Sequence, residues 1–140
     1  MKQIRRMLGA VLVALSCAVA AQTYPSKMVR IIVPYAPGGE TDALGRVIAP
    51  KLTEKWKQSV VVENRAGGGT VIGTEAAAKA DPDGHTLLIA SFGFTTNQVL
   101  IANLPYDPAS LVPQVLLGTA PLILYVSPTI PPNNMKELIA

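Results

Sequence analysis

Val33-Pro34-Tyr35-Ala36-Pro37-Gly38-Gly39-Glu40-Thr41-Asp42 is the stretch whose reading decides the fold. The β-branched run Val29-Arg30-Ile31-Ile32-Val33 leads into it and ends at Pro34, as a buried parallel strand would. A helical pattern over residues 43–56 leads out of it. Leu44, Val47, Ile48, Leu52 and Trp56 fall on one face, with Arg46, Lys51, Glu54 and Lys55 on the rest. Thr41 or Asp42 caps the helix start, and Pro50 is expected to kink or split it. The stretch is therefore a strand-to-helix corner. The first amides of such a helix have no partner within it and can face a ligand.

The same unit recurs downstream. Val60-Val61-Val62-Glu63 reads as a second strand, Asn64 to Thr70 as a glycine-rich corner, and residues 71–80 as an alanine-rich helix. Asp81-Pro82-Asp83-Gly84 supplies turn chemistry. Thr86-Leu87-Leu88-Ile89-Ala90 reads as a third strand, Ser91-Phe92-Gly93-Phe94-Thr95 as a third corner, and residues 97–102 as the start of a short helix. Strand, corner and helix repeated in this way predict an α/β fold, a parallel sheet with flanking helices and right-handed crossovers. All three corners then lie at the carboxyl ends of the strands, where open α/β sheets bind ligands. A fourth apolar run, residues 115–126, contains Gly118 and Pro121 and reads as two strand pieces or one bent strand. Residues 135–140 begin a helix with no stop signal, so the chain is expected to be a fragment.

The opening residues belong to targeting rather than to the fold. Lys2, Arg5 and Arg6 precede an uncharged apolar run, and Ala18-Val19-Ala20 fits a small-x-small cleavage pattern. Residues 1–20 thus read as a cleavable signal peptide and place the mature chain in the periplasm. The run is shorter than the ~20 residues of a spanning helix. Cys17 follows Ala14-Leu15-Ser16, an inverted lipoprotein order that argues against lipid attachment. The chain has 12 basic and 9 acidic residues, and three of the basic ones leave with the signal. The mature part is then formally neutral, which argues against nucleic acid and a basic membrane patch. Its only cysteine leaves too, so disulfides and thiolate metal sites are excluded.

The corners offer binding chemistry and little else. Gly38, Gly39, Thr41 and Asp42 can form an anion cradle, although the plainer reading of the glycines is a tight turn. Glu40 repels an anion there unless it points away or pairs with a cationic part of the ligand. Gly67-Gly68-Gly69 fails as a dinucleotide fingerprint because position 72 is Ile72, and as a P-loop because no lysine follows. Ser91 lacks the preceding glycine of a nucleophile elbow, because position 89 is Ile89. His85, the single histidine, lies at the opposite end of the third strand and reads as a surface turn residue. No catalytic residue, metal site or cofactor is expected. Tyr35, Phe92 and Phe94 sit where they would wall an apolar pocket or simply pack.

Taken in order, the motifs resemble the Bug family, the extracytoplasmic solute-binding receptors of tripartite tricarboxylate transporters. The carriers are Tyr24-Pro25-Ser26-Lys27, then residues 33–39 with Thr41-Asp42, then residues 60–69 with Gly73. Asp81-Pro82-Asp83-Gly84-His85-Thr86-Leu87-Leu88 and Leu104-Pro105-Tyr106-Asp107-Pro108 complete the set. The resemblance implies a two-domain Venus-flytrap fold of the type II periplasmic-binding-protein class, about 300 residues long. It divides this chain into a signal peptide (1–20), an incomplete first ligand-binding domain (21–114) and a crossing segment toward a second domain (115–140). It implies a monomer that captures a small carboxylated solute and passes it to membrane permease subunits. Carried over by position, the ligand contacts are Tyr35, Ala36, Gly38, Gly39, Thr41 and Asp42 in the first loop. Gly68, Gly69 and Thr70 serve in the second, and Ser91 and Phe92 in the third.

Several positions depart from the pattern. Glu40 replaces a small residue, Pro50 interrupts the helix, and Lys57 and Ser59 replace the expected glycine and proline. Leu111-Val112-Pro113-Gln114 replaces Asp-Phe-x-Pro-Val. With one jaw of the clamp, weak or no binding is expected. The rival readings are a small α/β enzyme taking an anionic substrate at the glycine corners, and a non-functional truncated product.

Overall fold

The computed structural model describes residues 24–121, 123–129 and 134–139. The signal-peptide reading of residues 1–20 lies outside them. Three strands form one parallel sheet: β1 (Val29–Val33), β2 (Val60–Asn64) and β3 (Thr86–Leu88), in the order β2-β1-β3. Val29 pairs with Val60 and Arg30 with Thr86, so all three strands point their carboxyl ends the same way. The central strand is β1, and its VRIIV run explains why. Val29, Ile31, Ile32 and Val33 are all at most 2% exposed, as expected for a strand covered on both faces.

Helix α1 (Glu40–Trp56) covers one face, and α2 (Val71–Ala78) and α3 (Phe92–Leu100) follow the second and third strands. Ile31, Val33, Ala49 and Ile89 form the core under α1, with Tyr35, Leu52, Val62 and Leu87 packed around them. The buried stripe of α1 differs from the apolar face expected from sequence. Asp42, Gly45 and Ala49 are buried, whereas Val47 is 59% exposed. Gly45 explains the rotation. A Cβ there would lie 3.3 Å from Ile89 Cδ1, 3.4 Å from Val62 Cγ2 and 3.5 Å from Val33 Cγ2. The helix approaches the sheet through its small residues, and the larger ones flank the contact.

Pro50 does not split α1, which continues through it to Trp56. It sits on the exposed side of the helix, as does Arg46, whose carbonyl it leaves without a helical donor. The helix ends at Lys57 in a left-handed conformation (φ 55°), whose amide donates to the Thr53 carbonyl at 2.9 Å. Lysine thus occupies the C-cap geometry that usually favours glycine.

Two further expectations are corrected. The third corner is shorter than read from sequence, because α3 starts at Phe92 with Ser91 as its N-cap. Residues 115–121 and 123–126 form neither helix nor strand. Val115, Leu116, Ile123, Leu124 and Tyr125 are all exposed, and none of them pairs into the sheet among the described residues. A short helix α4 (Met135–Ile139) follows.

Candidate functional site

At the carboxyl edge of the sheet the first corner is fastened by one carboxylate. Asp42 is 2% exposed although it is ionisable. Its Oδ2 accepts from the Gly38 amide at 2.8 Å and from Arg46 Nε at 2.9 Å, and its Oδ1 accepts from Asn64 Nδ2 at 2.9 Å. The same Asn64 amide group donates to the Tyr35 carbonyl at 3.2 Å. The Arg46 guanidinium, the Gly38 amide and Asn64 together hold the Asp42 carboxyl down at about 2. A buried charge with this many donors is stable as a charge. Asp42 therefore ties the first corner to the end of β2. Gly38, at φ 88°, turns the chain so that its amide meets that carboxylate.

The second corner is tied to α3 by another asparagine. Asn97 Nδ2 donates to the Gly69 carbonyl at 2.7 Å and to Thr70 Oγ1 at 3.1 Å. Gly68 and Gly69 have φ of 56° and 60°, and Thr70 follows at φ 83°. A threonine in that region carries strain on the order of 1–3 kcal/mol, held here by the surrounding contacts. Gly93 of α3 lets the two corners meet. A Cβ there would lie 3.0 Å from Thr70 Oγ1 and 3.1 Å from the Tyr35 hydroxyl oxygen. The Tyr35 hydroxyl is buried and has no hydrogen-bond partner among the described residues.

A cavity of about 200 Å³ opens above this frame, lined by Tyr35, Gly39, Glu40, Thr41, Ser91 and Phe92. Five of these six were expected from sequence as ligand contacts. Glu40 is the sixth, read there as repelling an anion unless it points away or pairs with a cationic part of the ligand. The other expected residues stand elsewhere. Ala36 is exposed outside the lining, and the Gly38 amide and Asp42 are committed to each other. Gly68, Gly69 and Thr70 form the support behind the cavity. Two corners line the cavity, where three were expected.

The starts of α1 and α3 converge on this cavity. The first intrahelical amide of α1 is that of Ala43, which bonds the Gly39 carbonyl at 2.9 Å. The amides of Glu40, Thr41 and Asp42 precede it and have no partner within the helix. At α3, the Phe94 amide bonds the Ser91 carbonyl at 3.0 Å, and the Ser91 side chain makes no cap hydrogen bond. Two positive dipole ends and two hydroxyl groups, those of Thr41 and Ser91, therefore border one small space. Asn64 and Asn97, which hold the frame, were not singled out from sequence. Their partners lie 22 and 28 residues away along the chain, beyond any local pattern.

His85 is also placed differently from expectation. It is 8% exposed, not a surface residue. Its Nε2 accepts from the Ser26 amide at 3.1 Å, and its Nδ1 faces the Asp83 carbonyl at 3.1 Å. The ring thus fastens the entering chain at the amino edge, far from Ser91. Tyr24 packs against it with ring centroids 5.2 Å apart. Among the described residues no group of three or more His, Cys, Asp or Glu is placed to hold a metal ion, and no helix is long and apolar enough to cross a membrane.

Residues 44–140 match the model of the tripartite tricarboxylate transporter family receptor. The chain is 41% identical over 129 residues to protein BugT of Bordetella pertussis, covering 90% of this chain and 40% of BugT. Among solved structures it resembles the periplasmic binding protein BugD, with a TM-score of 0.57 and 41% identity over 61% of this chain and 28% of that one. An R. palustris protein solved with adipate gives a TM-score of 0.58 and 39% identity, covering 61% of this chain and 29% of that one. The chain spans about two fifths of the length of the curated relatives it matches. The parallel sheet with its flanking helices is the architecture these periplasmic binding proteins share with it, and the chain belongs to the tripartite tricarboxylate transporter receptor family.

Proposed function

We propose that this chain is the first ligand-binding domain of a periplasmic receptor that captures a small carboxylated solute and hands it to the membrane permease of its transporter. Residues 21–114 form the binding body and 115–140 the segment that leads from it. The observation carrying this reading is the convergence of two helix starts on one cavity, with the hydroxyl-bearing Thr41 and Ser91 beside them. Unpartnered amides at a helix start favour a carboxylate by geometry and by dipole. The adipate held by a relative of the same architecture supports the same chemistry. Gly39, Thr41, Ser91, Tyr35 and Phe92 make the contacts. Gly38, Asp42, Gly68, Gly69 and Thr70 hold them in place. The protein binds and releases its solute unchanged, as a transporter receptor of its family does.

Calorimetric titration of the 140-residue chain with adipate and with its neutral diamide tests the reading. The few contacts available predict millimolar affinity for the dicarboxylate, about −4 kcal/mol, and no measurable heat with the diamide. Equal heats for both would contradict it, as would chemical conversion of the carboxylate.

A further inference from the structure

Glu40 is the one ionisable carboxylate on the cavity wall, and no Lys, Arg or His stands among the lining residues to neutralise it. Among the described residues Glu40 has no ion-pair partner, in contrast to Asp42 two positions on, whose charge is fully engaged with Arg46, Gly38 and Asn64. The wall therefore has two characters. The helix-start amides and the hydroxyl-bearing residues Thr41 and Ser91 suit an anion, while Glu40 suits a cation. The aromatic residues Tyr35 and Phe92 also line the space, and Phe92 is 64% exposed. Ring faces of this kind favour an ammonium group over a second carboxylate. A second carboxylate in a cavity of about 200 Å³ meets a like charge at Glu40 on its wall, whereas an ammonium group meets an opposite one.

We propose that Glu40 sets the specificity of this receptor for a zwitterionic solute, a small amino carboxylate. Its carboxylate sits at the helix starts and its ammonium group on Glu40. The proposal rests on the carboxylate-binding reading above and narrows its substrate class. Glu40 also occupies the first turn of α1, where a negative charge favours the helix dipole whatever the ligand. That structural role predicts no change in ligand preference, so preference is the quantity to measure.

The test uses two probes of equal chain length, adipate and 6-aminohexanoate, titrated into the isotope-labelled 140-residue chain while the Gly39, Thr41 and Ser91 amides are followed. The wild-type chain should bind 6-aminohexanoate about tenfold tighter than adipate. Glu40→Gln should bring the two within about threefold, chiefly by a gain in adipate binding, and Glu40→Asp should restore most of the preference. An unchanged ratio in Glu40→Gln, with both probes still binding, would overturn the role of Glu40 and leave the carboxylate receptor standing. Adipate bound as well as 6-aminohexanoate by the wild type would do the same. Failure of both probes to move the cavity amides would overturn both readings together.

Discussion

Two cavities lie at opposite ends of β1, and the larger is the less suited to a ligand. The amino-edge cavity, about 570 Å³, is lined by Lys27, Met28, Arg30, Lys79, Asp81, Asp83 and His85 among others. Its charges are largely spent on each other and on neighbours. Lys27 pairs with Asp83 at 2.8 Å, Lys79 with Glu75 at 2.6 Å and Arg30 with Glu63 at 3.6 Å. His85 is engaged by Ser26 and Asp83. The carboxyl-edge cavity is about a third of that volume, yet its helix-start amides have no partner within their helices and Glu40 has no ion pair among the described residues. Volume measures room, whereas binding needs groups with unused capacity. The fold spends its polar groups on structure at one end and leaves them open at the other.

The comparison breaks most severely at Gly73, directly under the first corner. A Cβ there would lie 2.6 Å from the Arg65 carbonyl and 2.7 Å from Pro34 Cβ, both parts of the frame that carries the corners. Gly73→Ala should cost about 2–3 kcal/mol in denaturant unfolding, because backbone must move to admit the methyl group. It should also abolish the response of Thr41 to carboxylate while the amides around Lys79 keep their positions.

Acid offers a smaller, graded break. The carboxyl of Asp42 is held at about 2, below its ordinary 3.8, by Arg46, Gly38 and Asn64. A depressed carboxylate stabilises the fold fully above its unfolded value and loses that contribution as pH falls toward the folded one. Stability measured against pH should therefore be insensitive to Asp42 from neutrality down to about 4 and should fall between about 4 and 2. In Asp42→Asn that limb should flatten. Asp83, held below the carboxylate range chiefly by Lys27 and then by the His85 amide, fastens the amino edge. Asp83→Asn should flatten the same limb from about 4 downward and go on doing so further into acid than Asp42→Asn, so the two ends of β1 differ in how far the limb extends.

The smallest effect should come from the larger cavity. Lys79 lies on its wall, with its side chain 63% exposed and bonded to Glu75 four residues earlier on the helix side. Lys79→Ala should change stability by only about 0.3–0.5 kcal/mol and leave carboxylate affinity unaltered. A loss of binding there would shift the site to the amino edge.

Much of this arrangement was legible in the residues. Short apolar runs, the first of them β-branched and ending at Pro34, located the three strands, and the recurrence of strand, corner and helix predicted a parallel sheet with its corners at one edge. The buried face of α1 was not legible. Hydrophobicity favours Leu44, Val47 and Ile48, but contact distance is set by Gly45 and Ala49, and Asp42 is buried only because three donors meet it. The clasps through Asn64, Asn97 and His85 join residues far apart in sequence, so no local pattern announces them. Residues 115–126 have the composition of strands, yet a strand forms only when it pairs, and among the described residues this run pairs with neither outer edge of the sheet.

Following every backbone amide of the labelled chain during titration with adipate tests the central claim most directly. The account predicts saturable shifts at Gly39, Glu40, Thr41, Ser91 and Phe92, with little movement at Lys27, Arg30, Lys79 and Thr86. Shifts concentrated on the second group, or spread evenly over both, would contradict it.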